Sequence, residues 1–295
     1  MFVIKYKKIF VSISAFLVAL SLGSILYFGV DFGIDFKGGA LLEVSYTDVR
    51  PTQSSVQEAL SNTGLDLGSV LIQPISEDTF SIKTKDINNE QKNQVLASLG
   101  ANAQEVSFTS IGPSVGAELV RKSILSFILV ALGIIFFIAY SFRKVSKPVS
   151  SWKYGLIAVT ALIHDVIIPV GGFVIFSKIF GVQADTLFVV AILTILGLSV
   201  SDTIVVFDRI RENLQVGKFK TFEETVGNSL NQVYTRSLAT SFTLFVVLVA
   251  LIFFGPESTK HFAMLLTAGM FFGTYSSIFL ASPLLVMVEN SQKKS

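Results

Sequence analysis

The sequence contains no cysteine, only two histidines and few charged residues for its length. Without cysteine there is no disulfide framework, no thiol nucleophile and no Cys-ligated zinc or iron–sulfur site. Charged residues make up 15% of the 295 positions, whereas soluble domains carry about 25%. Hydrophobic residues reach 51%, which excludes an intrinsically disordered chain. The formal net charge of +2 is too small to indicate nucleic-acid binding.

Six apolar stretches are long enough to cross a membrane as helices, which takes about 20 residues. The first exceeds the apolar core of a signal peptide, about 7–15 residues, and is interpreted as an uncleaved span. The last contains Pro283, where we expect a tilt or kink. These stretches predict a polytopic α-helical membrane protein with transmembrane helices at residues 9–29, 123–142, 154–176, 186–207, 237–254 and 262–288.

Basic residues lie on alternate connections between these spans, which predicts the orientation, because loops rich in Lys and Arg stay cytoplasmic. We therefore expect both termini inside the cell and residues 31–118 outside. That region holds twelve acidic and five basic residues, a charge of −7. The basic residues are Lys5, Lys7 and Lys8 before span one, Arg143, Lys144, Lys147 and Lys153 before span three, Arg209, Arg211, Lys218 and Lys220 after span four, and Lys293 and Lys294 at the end.

The sequence divides into an N-terminus with span one (1–30), an external domain (31–118), spans two to six (119–289) and a cytoplasmic tail (290–295). The external domain alternates strand and helix signals in the order β-α-β-β-α-β, which predicts an α+β ferredoxin-like unit. Its strands are predicted at 39–46, 70–75, 80–84 and 103–111, and its helices at 51–63 and 87–99. A capping box at Thr221 and Glu224 predicts an amphipathic cytoplasmic helix near 221–234.

Three ionisable residues at membrane depth are candidate functional groups, since such residues are costly in lipid. Asp202 lies 16 residues into span four, and Arg236 lies at the start of span five. These spans run antiparallel, so the two residues share a leaflet and can form a proton-sensitive pair. Asp165 lies mid-way along span three. Its neighbour His164 points about 100° away around the helix and is not expected to be its partner.

Four segments resemble the SecD/SecF family of the RND superfamily: GIDFKGG at 33–39, ALIHD at 161–165, GLSVSDTIVVFDRIREN at 197–213 and TRSLATS at 235–241. The resemblance covers almost the whole chain. It implies a proton relay in which Asp202 carries the proton and Arg236 is its basic partner. Asp165 is a further candidate for this relay because of its position in span three. It also implies a structural turn formed by Gly33, Asp35, Gly38 and Gly39.

The resemblance further implies a non-enzymatic subunit of the bacterial Sec export system, driven by the proton gradient and without a cofactor. RND proteins carry two six-span halves, so the second half is expected from a SecD-like six-span chain. Other implied partners are the SecYEG channel, YajC, unfolded exported polypeptides and the lipid of the cytoplasmic membrane. Two alternatives remain open. One is half of an RND-type efflux transporter for small molecules or lipids, and the other is a structural membrane scaffold.

Overall fold

The computed structural model describes residues 2–141 and 148–292, without the side chains of Glu257 and Ser258. The chain forms two compact units, one of residues 32–124 and one of residues 1–31 with 125–295. Several predicted features fall outside the described residues: the last position of span two, the tail beyond residue 292, and the basic residues Arg143, Lys144, Lys147, Lys293 and Lys294.

Helices and strands follow one another in the predicted order, and helices dominate the larger unit. A π-helical turn lies between the last two α-helices. In chain order the elements are α1 Phe2–Lys5, α2 Lys7–Phe28, α3 Ile34–Lys37, β1 Gly39–Tyr46, α4 Gln53–Ser61, β2 Leu71–Pro74, β3 Thr79–Thr84, α5 Asn89–Ser98, β4 Ala103–Ile111, α6 Pro113–Ser141, α7 Ser151–Phe180, α8 Thr186–Val216, α9 Phe222–Phe254, α10 Glu257–Ser276, the π turn Ser277–Ala281 and α11 Ser282–Gln292.

Six helices among the described residues are long and apolar enough to cross a membrane, as predicted. The sixth is continuous from Thr259 to Gln292 through the π turn. Burial divides the six into two groups. The spans α7, α8 and α10 supply most of the buried positions, whereas α2, α6 and α9 expose long apolar faces. Those exposed faces suit contact with lipid or with another membrane chain.

The amphipathic segment predicted near 221–234 is not a separate helix. It forms the first part of α9, because no glycine or proline interrupts the chain between it and span five. Its start is capped as predicted, since the Thr221 hydroxyl accepts a hydrogen bond from the Glu224 backbone N–H at 3.1 Å. Val226, Leu230 and Val233 are buried in the bundle core, so the apolar stripe packs against the other spans.

The smaller unit has the predicted strand and helix order and a four-stranded sheet. The strand order is β2-β3-β1-β4, and every neighbouring pair is antiparallel. A bulge interrupts the register of β1 and β4 between Glu43 and Val44. Apolar residues alternate along β1, so Leu42 and Val44 lie in the core with Phe80 and Ile82 of β3. This is the arrangement of an α+β ferredoxin-like domain.

Candidate functional site

Asp165 is the most deeply buried carboxylate in the described bundle, with none of its surface exposed. It lies in the middle of α7, the span that packs against α2, α8 and α10. Ser199 of α8 donates a hydrogen bond to Asp165 Oδ2, and Ser276 of α10 donates to the same oxygen at 2.6 Å. The carboxylate therefore joins three spans, which limits the cost of burying it.

His164 is the third partner of Asp165, contrary to the expectation from its position in sequence. Its Nδ1 lies 2.8 Å from Asp165 Oδ1, and only 2% of the residue is exposed. Successive residues diverge by about 100° on a helix, but that angle describes Cβ directions. The imidazole extends far enough from the backbone to turn back to the neighbouring carboxylate. Its ring stacks on Tyr275 of α10 with centroids 6.1 Å apart.

Close packing of α10 on α8 brings these groups together. Gly269 and Gly273 leave room for the approach. A Cβ at Gly269 would lie 2.2 Å from the Ile195 side chain, and one at Gly273 would lie 3.1 Å from Ser199 Cβ. The small residues thus set the distance at which Ser199 and Ser276 can both reach Asp165.

Asp202 lies one helical turn beyond Ser199 and is half-buried. Thr274 Oγ1 of α10 lies 3.4 Å from Asp202 Oδ2, and Thr274 is itself 2.6 Å from Ser241 Oγ of α9. A cavity of about 60 Å³ opens beside the carboxylate and is lined by Thr240, Ser241 and Thr274. Both carboxylates thus contact hydroxyls of α10, Asp165 through Ser276 and Asp202 through Thr274, which are two residues apart. The two predicted aspartates therefore belong to one polar network.

Arg236 is not part of this network in the observed conformation. It is exposed on α9 and lines a separate pocket of about 280 Å³ with Asp208, Arg209 and Glu212 of α8. Among the described residues no ion pair joins it to Asp202. The reason is helical geometry, since Arg236 precedes Ser241 by five residues, a rise of about 7.5 Å along α9.

The GIDFKGG segment forms a tight turn immediately before β1 of the smaller unit. Gly33 precedes the short helix α3, and Asp35 lies in its first turn. Gly38 and Gly39 have φ angles of 78° and 139°, a region that side chains disfavour. A Cβ on Gly39 would lie 2.7 Å from the Thr84 carbonyl oxygen. The two glycines therefore allow the chain to enter β1 directly from α3.

Sequence reasoning identified both aspartates but did not assign Ser276, Thr274 or Ser241 to the site. Hydroxyl residues in apolar spans are ambiguous, because they can bond to a carbonyl of their own helix four residues earlier. Ser241 and Thr274 do this as well, to Ser237 and Met270. Within the described part of the chain, no group of three or more His, Asp or Glu could hold a metal ion.

Two family models match the chain over the regions just described. Residues 91–291 match the C-terminal region of the protein export membrane proteins SecD and SecF, and residues 23–48 match the SecD/SecF GG motif. The chain belongs to the SecD/SecF family. The second model covers α3 and β1, and the first covers the five spans that hold Asp165, Asp202 and Arg236.

Relatives of this family align over nearly the full length of the chain. The protein translocase subunit SecF of Thermobaculum terrenum is 40% identical, over 98% of this chain and 94% of the relative. The protein translocase subunit SecDF of Brucella abortus is 33% identical over 93% of this chain, which spans 35% of that longer protein. The crystal structure of SecDF from Thermus thermophilus superimposes with a TM-score of 0.82 at 28% identity. It covers 97% of this chain and 38% of the SecDF chain.

Proposed function

We propose that this chain is an accessory subunit of the bacterial Sec protein-export translocon, driven by the proton-motive force. It acts without an enzymatic reaction and without a cofactor, and protons are the ions that it uses. Membership of the SecD/SecF family supports the export role. The observation that carries the proton coupling is the network of two aspartates across four spans, because ionisable groups at membrane depth are costly unless they serve a purpose.

The partner in this proposal is a SecD-like six-span chain. Some relatives unite the SecD and SecF names in one longer chain, of which this chain matches about a third. The exposed apolar face of α9, which includes Phe242 and Val247, provides a surface for such a partner. The assembled pair acts beside the SecYEG channel, with YajC, in the bacterial cytoplasmic membrane. Both termini lie in the cytoplasm, and the ferredoxin-like domain lies outside, where it pulls or releases unfolded exported chains.

Coupling begins when a proton binds Asp202 and removes its charge. In this proposal Arg236 pairs with Asp202 only while the carboxylate is charged. The proton ends that attraction, Arg236 stays in the separate pocket that it occupies in the observed conformation, and the spans repack. The flanking spans α2 and α6 pass the change to the external domain along the chain. A gradient of 100 mV supplies about 2.3 kcal/mol per proton. That energy shifts a two-state equilibrium about fifty-fold, which is enough to bias a domain motion.

We expect Asp202→Asn to abolish the gradient-dependent part of protein export while the protein remains in the membrane. Asparagine keeps the size of aspartate and one acceptor oxygen for the Thr274 hydroxyl, but it cannot bind and release a proton. Export of a model secretory protein into inverted membrane vesicles, with and without a proton gradient, measures the effect. Glu118→Gln is the matched control, since it neutralises an acid that is exposed in the described structure. Full gradient stimulation in Asp202→Asn vesicles would show that the proposal is wrong.

A second candidate is half of an RND-type efflux transporter for small molecules or lipids. The observation that favours it is an apolar cavity of about 350 Å³ between α2, α7 and α10, lined by Leu20, Pro169, Phe176, Met264 and Phe272. A hydrophobic ligand or an acyl chain suits such a lining. Co-purification separates the two candidates. Recovery of a six-span homologue together with a translocation channel supports export. If cells without this chain lose resistance to hydrophobic compounds but show no export defect, efflux is supported instead.

A further inference from the structure

His164 has a second nitrogen that the Asp165 network leaves unused. Its Nε2 is buried and makes no hydrogen bond within the described structure. Several other buried polar atoms of the described structure share this property, among them the hydroxyls of Ser14 in α2 and Tyr275 in α10. Buried polar atoms are nearly always satisfied by protein groups or by internal water. An unsatisfied ring nitrogen next to a hydrogen-bonded carboxylate is therefore a candidate for proton exchange.

The packing of α2 on α7 places Ser14 at the level of His164. The two helices run in the same direction, since their C-terminal ends meet where the Ala184 N–H donates to the Asp31 carbonyl at 2.8 Å. In the C-terminal halves of the two helices, Ser24 Oγ donates to the Gly171 carbonyl at 3.1 Å, and Ser21 packs directly on Gly171. Seven residues earlier on each helix, Ser14 stands opposite His164.

Tyr275 of α10 is an aromatic neighbour of the imidazole. It stacks on the His164 ring, and its buried hydroxyl belongs to the same span that carries Ser276. Three neighbouring helices thus each contribute one buried polar atom that makes no hydrogen bond: Ser14 Oγ, His164 Nε2 and Tyr275 Oη.

We propose that His164 and Asp165 bind one proton between them, and that Nε2 of His164 is the atom through which this proton arrives. The proposal rests on the proton-driven function stated above. Before binding, the imidazole is neutral with its proton on Nδ1, the carboxylate is charged, and the pair carries −1. The arriving proton forms the Nε2–H bond. The Nδ1–H bond then breaks, and an O–H bond forms on Asp165 Oδ1.

The product is a neutral imidazole beside a neutral carboxylic acid, so the charge of the pair changes from −1 to 0. Release reverses the same bonds. The titratable groups of the described structure that face this pair are Asp202 from α8 and Tyr275 from α10, whereas α2 contributes only the hydroxyl of Ser14. Asp202 lies one helical turn beyond Ser199, which donates to Asp165, so the two carboxylates repel each other when both are charged, and a proton on the His164–Asp165 pair removes that repulsion. The pair is thereby coupled to the group that drives the conformational change.

Two amide substitutions separate this role from simple positioning of Asp165. In His164→Asn the amide nitrogen takes the place of Nδ1 and can still donate to Asp165, but nothing remains at the position of Nε2. In His164→Gln the amide lies at the level of Nε2 but cannot bind a proton. We expect both variants to lose proton uptake by vesicles containing this chain and its partner, on the order of 100-fold in rate. Full uptake by His164→Asn would overturn the proposal and leave only a positioning role.

A spectroscopic measurement keeps the proposal testable if these variants do not fold. The chain contains only two histidines, so His261→Gln leaves His164 as its single imidazole. Infrared difference spectra of this full chain, labelled with ¹⁵N-histidine in lipid vesicles, report the ring and the carboxylic acid band as pH changes. The two bands should change together at one midpoint. A ring band that stays constant while the acid band changes contradicts the proposal. If the unmodified complex takes up no protons under a gradient, the proposed function fails, whereas the spectroscopic result stands separately.

Discussion

Gly39→Val is expected to destabilise the ferredoxin-like domain by about 2–5 kcal/mol, a large part of its stability. The φ angle of Gly39 is 139°, and a Cβ there would lie 2.7 Å from the Thr84 carbonyl oxygen. The backbone conformation costs about 1–2 kcal/mol for a residue with a side chain. Displacing a neighbouring strand adds about 1–3 kcal/mol. A small domain is stable by about 5 kcal/mol, so the variant should lose most of its resistance to limited proteolysis between β1 and β4.

Gly64→Val provides the matched control for this experiment. Gly64 also has a positive φ, 67°, but a Cβ would meet nothing within 4 Å. The Gly64→Val domain should therefore lose only about 1–2 kcal/mol of its free energy of unfolding, which is the cost of the backbone conformation. Equal protease sensitivity of the two variants would mean that the contact with β3 contributes nothing, contrary to the explanation given for the GIDFKGG turn.

Gly171→Leu is expected to separate α2 from α7 and to destabilise the membrane bundle by about 3 kcal/mol. A Cβ on Gly171 would lie 2.5 Å from Ser21 Cβ, too close for the helices to keep their approach. Separation also breaks the hydrogen bond from Ser24 to the Gly171 carbonyl. Thermal unfolding of the purified full chain in detergent measures the loss, and the variant should unfold several degrees lower.

The neighbouring Gly172→Leu tests the same substitution on a different face of the helix. A Cβ at Gly172 would meet nothing within 4 Å, so a larger side chain finds open space there. We expect its unfolding temperature to stay close to that of the unmodified chain. A similar loss in both variants would point to general helix effects rather than to the contact between α2 and α7.

The architecture was predictable because its signals are local. Each span is a long apolar run, and β1 was predicted at its observed bounds of Gly39–Tyr46 from its composition. The helix α4 begins at Gln53 rather than at residue 51, because Thr52 supplies the cap through its side chain. The sequence does not predict that the 221–234 segment continues into span five, because the pattern changes there from amphipathic to apolar. A helix continues through such a change when nothing breaks it.

The candidate site was predictable only in its charged members. Asp165 and Asp202 are conspicuous, since carboxylates are rare in apolar spans. Their serine and threonine partners come from other helices, and the register between helices is a property of tertiary packing. The separation of Arg236 from Asp202 has the same origin. The antiparallel order of the spans predicts that the two residues share a leaflet. The pocket that the guanidinium occupies depends on the five residues that separate Arg236 from Ser241 along α9.

The turn Ser277–Ala281 changes how the sixth span should be drawn. A π-helical turn contains one residue more than an α-helical turn, and here Ser282 Oγ donates to the Ser277 carbonyl across it at 3.0 Å. Pro283 follows at once, and it has no N–H to continue the regular ladder. The extra residue shifts the side-chain directions before the turn by about 100° around the helix axis relative to those after it. A helical wheel plotted over the whole span therefore has two phases. Residues before the turn, such as Ser276 beside Asp165, and residues after it, such as Leu285 in the core, therefore belong on separate wheels.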